Sequence, residues 1–143
     1  MAGDTARIRQ TVIFQASPEE VFEALMDEKK HARFTGSPAK ISREVGGAFS
    51  VFGGYATGKN LELIAGKRIV QEWRASDWKR GVSSIAAFSI SGGAGRAKLV
   101  FVQTGVPRDA VEDISEGWKE YYWEPMKKMF SEAGKKSMTK DSD

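Results

Sequence analysis

Between Ala39 and Thr104 apolar and polar residues alternate in short runs, and after Pro107 the apolar spacing lengthens to that of a helix. This switch of period leaves few folds open. The alternating runs are Ala39 to Glu44, Ala48 to Phe52, Tyr55 to Ile64, Arg68 to Arg74, Ser83 to Ser91 and Arg96 to Thr104. Glycines separate them, at Gly46-Gly47, Gly53-Gly54, Gly66, Gly81 and Gly92-Gly93-Ala94-Gly95. Short glycine-bearing links between alternating segments make antiparallel hairpins. Each run is short and polar on one face, which excludes a parallel sheet buried on both sides.

The helical pattern that follows sets Ile114, Trp118, Tyr121, Tyr122, Met126, Met129 and Phe130 on one broad apolar face. Asp109 is placed to cap its start. Pro125 lacks an amide donor, which predicts a kink in one continuous helix that Gly134 closes. Upstream, Ile8, Val12 and Phe14 share one face of a strand, opposite Arg7, Arg9 and Thr11. Ser17-Pro18-Glu19-Glu20 reads as a capping box with proline at the first helical position. Val21, Phe22, Leu25 and Met26 then form an apolar stripe, and Asp27 to Arg33 is a charged continuation or a second short helix. Strand, helix, six strands and long helix make an α+β layout, an antiparallel sheet with its helices to one side. A strongly curved sheet could grip the long helix and leave an apolar space between them. The expected organisation is a flexible start over residues 1–6, one domain over 7–133 and a flexible tail over 134–143.

Composition narrows the function classes. A length of 143 residues suits one domain with a sizeable core. The net charge of +3 comes from 22 Lys and Arg against 19 Asp and Glu, spread along the chain, so no nucleic-acid partner is expected. No apolar run nears the roughly 20 residues of a membrane helix, and the first residues lack the apolar stretch of a signal peptide. No membrane insertion is expected, and the cytoplasm is the default compartment. With no Cys there is no disulfide, thiolate nucleophile or cysteine-type metal site. A single His excludes any site that needs two.

Three motifs have plain structural readings. Gly53-Gly54-Tyr55-Ala56-Thr57-Gly58-Lys59-Asn60 spells most of a phosphate-binding loop. Asn60 stands where a magnesium-binding Ser or Thr is needed, and Leu61-Glu62-Leu63 alternates like a strand where a helix should begin, so these are hairpin glycines. His31 lies among Glu28, Lys29 and Lys30, one turn from Asp27, and reads as a solvated surface group. Glu112, Glu116, Glu120 and Glu124 form one straight row that cannot encircle a metal ion; Glu124 can pair with Lys128.

Three blocks carry a family resemblance: Ile69-Val70-Gln71-Glu72-Trp73-Arg74, Thr104-Gly105-Val106-Pro107, and Gly117-Trp118-Lys119-Glu120-Tyr121-Tyr122-Trp123-Glu124-Pro125-Met126. Together they resemble the C-terminal-type domain of the activator of heat-shock protein 90 ATPase homologues, within the START-like (SRPBCC) superfamily. Gly46-Gly47-Ala48-Phe49 and Gly58-Lys59-Asn60-Leu61-Glu62-Leu63 fit the same pattern. The resemblance runs from about Arg7 to Phe130. It implies a helix-grip fold, a curved antiparallel sheet wrapped around a long C-terminal α-helix, with a cavity that in superfamily members commonly holds a hydrophobic molecule. It also implies a heat-shock protein 90 homologue as a possible partner and a part in stress response. The eukaryotic co-chaperones carry an additional N-terminal domain, which a chain of this length is not expected to include.

Within that fold Ile69, Gln71 and Trp73 share one strand face, and Leu99, Phe101 and Gln103 share another. If both look inward, two amides enter an apolar space and need partners, from each other, from the backbone or from a ligand. The candidate ligand-binding residues are Phe22, Phe49, Val51, Tyr55, Gln71, Trp73, Phe101, Gln103, Trp118, Tyr122 and Met126. The first reading is non-enzymatic binding of a small hydrophobic molecule between the sheet and the C-terminal helix. The rivals are a chaperone-associated regulator and a polyketide cyclase-like enzyme. No catalytic or metal-ligating set and no cofactor is expected.

Overall fold

The computed structural model describes residues 4–131. Seven strands form one antiparallel sheet: β1 (Thr5–Phe14), β2 (Ala39–Ile41), β3 (Ala48–Val51), β4 (Ala56–Ile64), β5 (Arg68–Ala75), β6 (Ser84–Gly93) and β7 (Arg96–Pro107). Their order across the sheet is β1-β7-β6-β5-β4-β3-β2. Every neighbour from β2 to β7 is a hairpin partner, as the glycine-punctuated alternation requires, and β1 closes the far edge against β7. The α+β, helix-grip class is therefore the observed one.

Capping chemistry places the two helices between β1 and β2. In α1 (Pro18–Met26) the Ser17 hydroxyl accepts from the Glu20 amide at 3.1 Å, and the Glu20 carboxylate accepts from the Ser17 amide at 2.9 Å. Val21, Phe22, Leu25 and Met26 are buried against the sheet. The charged stretch beyond is a separate helix, α2 (Glu28–Thr35), because the Asp27 carboxylate accepts from the Lys29 and Lys30 amides and restarts the helix.

The C-terminal helical run begins with a 3-10 turn, Arg108–Ala110, continues as α3 (Val111–Trp118), passes through a π turn, Lys119–Trp123, and resumes over residues 124–131. The irregularity expected from Pro125 takes the form of that π turn, in which the Glu124 amide donates to the Lys119 carbonyl. Asp109 does not cap the helix: it lies in the 3-10 turn, and Ala110 takes the cap position without a side-chain bond. Glu124 pairs with Lys127 rather than Lys128, at 3.9 Å. The expected helix end at Gly134 and the flexible tail over 134–143 lie outside the described residues.

Two strand boundaries move for identifiable reasons. β2 stops at Ile41 because the Asn60 side-chain amide takes the carbonyls of Ser42 and Glu44, at 2.7 and 3.0 Å, and draws the chain out of the ladder. β1 starts at Thr5, inside the stretch expected to be flexible, because Thr5 and Ala6 pair with Pro107 and Val106. Residues 53–60 run from a turn straight into β4 with no helix following, so the phosphate-loop reading has no structural basis.

Candidate functional site

The long helix meets the sheet through rings. The Trp118 ring centroid lies 4.4 Å from those of Phe101 and Tyr122, 5.6 Å from Trp123, 5.7 Å from Phe88 and 5.9 Å from Trp73. Such a cluster fills the space inside the grip. What remains there is a void of about 20 Å³ bordered by His31, Phe49, Val51, Gln71, Trp73 and Tyr122, room for about one water.

Both buried amides have protein partners. Gln103 accepts from the Trp118 indole N–H and donates to the Ser84 hydroxyl, each at 2.8 Å, and that hydroxyl donates to the Trp73 carbonyl. Gln71 donates to the Asn60 side-chain carbonyl at 3.1 Å. Gln103 thereby fixes the face that Trp118 presents, and Gln71 ties β5 to the loop that Asn60 holds.

An open cleft lies at the mouth of the grip. A cleft of about 480 Å³ is lined by Phe52, Tyr55 and Trp73 on the sheet side and by Asp113, Ile114, Gly117, Trp118, Tyr121 and Tyr122 on the helix side. The helix supplies two adjacent rows at four-residue spacing, 113-117-121 and 114-118-122. Tyr55 and Tyr121 are 42% and 52% exposed, so the cleft opens to solvent. Phe52 has φ 56°, the left-handed region that a bulky side chain rarely enters, and leads into Gly53 and Gly54 at positive φ. That turn sets the Phe52 ring within 5.9 Å of Tyr121 and 5.8 Å of Tyr122.

Of the expected ligand-binding residues, Tyr55, Trp73, Trp118 and Tyr122 come together in this cleft. Phe49, Val51 and Gln71 border the small void behind it, while Phe22, Phe101, Gln103 and Met126 are packed in the core. Sequence reasoning left Phe52, Asp113, Ile114, Gly117 and Tyr121 out of the site. The rows at four-residue spacing around Trp118 and Tyr122 were the available signal.

His31 corrects another expectation. It is 3% exposed rather than solvated, and its Nε2 lies 2.9 Å from the Tyr122 hydroxyl. Asp27 sets the phase of α2, so His31 and Phe34 face inward while Glu28, Lys29, Lys30 and Arg33 face away from the core. Nδ1 of His31 has no hydrogen-bond partner. Burial lowers its pKa from 6.5 to about 4 and pushes the Tyr122 phenol up. Both groups are neutral at pH 7, and neither is poised to exchange a proton with solvent.

The remaining charged row is bland. Glu112, Glu116, Glu120 and Glu124 are exposed, and no cluster of metal-ligating residues occurs among the described residues. No helix among them is long and apolar enough to cross a membrane.

Comparison with known proteins places this architecture. The family model described as "Activator of Hsp90 ATPase homolog 1-like protein" matches residues 15–131. A Dictyostelium discoideum protein named activator of 90 kDa heat shock protein ATPase homolog is 37% identical over 123 residues, covering 85% of this chain and 32% of that protein. The human activator of 90 kDa heat shock protein ATPase homolog 1 is 29% identical over 126 residues, covering 88% and 37%. The chain thus spans about a third of the length of these curated relatives. The crystal structure of an HSP90 activator from Plasmodium falciparum superimposes with a TM-score of 0.77 at 26% identity, over 81% of this chain and 89% of that one.

Proposed function

The chain belongs to the activator of Hsp90 ATPase homolog 1-like family, and from that premise we propose that it is a chaperone-associated regulatory domain that engages a heat-shock protein 90 homologue. The observation that carries this reading is the 37% identity to the Dictyostelium activator across 85% of the chain. The packing agrees with it. The aromatic cluster around Trp118 packs the sheet–helix seam, with a void of about 20 Å³ behind the cleft. The direct test is binding: the purified chain titrated against a heat-shock protein 90 homologue from the same host, followed by analytical ultracentrifugation. A saturable complex supports the proposal, and two independent sedimenting species at high micromolar concentration contradict it.

A second reading has its own observation. The cleft at the mouth of the grip falls within the roughly 300–1,000 Å³ of small-molecule sites, and rings dominate its walls. It would take a small, largely apolar ligand beside the sheet–helix seam rather than inside it. A ligand held at 100 times its dissociation constant adds about 2.7 kcal/mol, visible as a melting shift. A broad panel of lipids, aromatics and polyketide-like compounds that gives no shift would remove this reading and leave the first intact.

A further inference from the structure

The cleft has an uneven chemistry. Apart from its tyrosine phenols, its one ionisable lining residue is Asp113, in a chain that carries 22 Lys and Arg and a net charge of +3. Among the described residues no basic side chain lines it. Asp113 is exposed and belongs to none of the ion pairs formed among the described residues, which engage Asp4, Glu23, Glu62, Glu116 and Glu124. Burial first, then the nearby Asp77, Asp113 and Tyr121, push the Tyr55 phenol up.

Two backbone features keep the cleft open and ringed. Phe52 holds a left-handed φ of 56° that costs stability, and what the strain achieves is a ring on the cleft wall. Gly117 lies mid-helix, where alanine would be more stable. A Cβ there would meet nothing closer than the Tyr121 ring at 3.9 Å, so the missing side chain is cleft space.

We propose that this cleft binds a small organic cation, an ammonium or alkylated ammonium group on an apolar body, held by the aromatic walls and the Asp113 carboxylate. The proposal rests on the small-ligand reading of the cleft and names the ligand's charge. Ring faces are electronegative and attract a cation placed over them, and bulky alkylated ammonium groups lose little hydration on entering such a site. A nearby carboxylate outside the ion pairs of the described residues adds attraction without demanding a directed hydrogen bond. An anionic ligand would meet Asp113 with no compensating base among the described lining residues.

The test compares benzyltrimethylammonium with its uncharged carbon isostere, neopentylbenzene, by the indole N–H resonances of Trp73 and Trp118. The expected result is saturable binding of both, with the cation tighter by roughly fivefold or more. Asp113→Asn should bring the cation down roughly two- to fivefold toward the isostere, and leave the isostere unchanged. Gly117→Leu, a helix-compatible change, should abolish both by filling the cleft; circular dichroism checks that each variant folds. If both probes bind equally, or Asp113→Asn has no effect, the cation proposal is overturned while the small-ligand reading stands. If neither probe saturates, or Gly117→Leu leaves binding intact, both fall together.

Discussion

His31 has the only imidazole in the chain, and its burial makes it a pH liability. In the unfolded chain it takes a proton near pH 6.5; in the folded protein it resists until about pH 4. The unfolded state therefore binds more protons across that window, so stability is full above about pH 6.5 and falls as the pH drops toward 4. Between pH 6.5 and 5 the loss should be about 1.6 kcal/mol. Urea midpoints at the two pH values measure it, and His31→Phe should flatten the difference. An unchanged slope in that variant would mean that His31 titrates normally in the fold. Gln103 gives a second residue-level prediction. Gln103→Leu strands the Trp118 indole N–H and should cost about 2 kcal/mol or more, read by denaturant unfolding. A near-neutral change would show that the indole finds another partner.

At the scale of the element, Gly117→Ala should stabilise α3 by about 0.5–1 kcal/mol, since helix propensity improves and the new methyl meets only an ordinary contact. A melting temperature that falls instead would mean that the helix needs the glycine for packing. The elements themselves were largely legible. Alternation grouped Ile69-Gln71-Trp73 and Leu99-Phe101-Gln103 on single faces, because a strand's period is strictly two, but left open whether those faces turn inward; in the fold both do. The capping box at Ser17 was legible because it is purely local. Long-range partners decided what was missed. The end of β2 depends on Asn60, eighteen residues away, and the hydroxyl that meets the buried His31 ring belongs to Tyr122, ninety-one residues away. The site suffered most: Phe52 looks like the end of a strand, and only the left-handed turn beside it shows that its ring faces the helix.

For the whole molecule, the grip joins sheet and helix through one aromatic seam within a single core. Phe101, Trp118, Trp123 and Phe88 lock together there, leaving a solvent-open cleft rather than an internal chamber. The proposal made from family membership is tested first with a heat-shock protein 90 homologue. The chain covers about a third of its curated relatives, so regulation of the chaperone by this domain alone is the point at issue. The most direct measurement is the steady-state ATPase rate of a heat-shock protein 90 homologue from the same host, titrated with the purified chain, with an inhibitor-subtracted blank. A saturable change in turnover, reaching its plateau near one domain per chaperone protomer, is the predicted result. A rate that stays flat up to a large molar excess would contradict the regulatory reading.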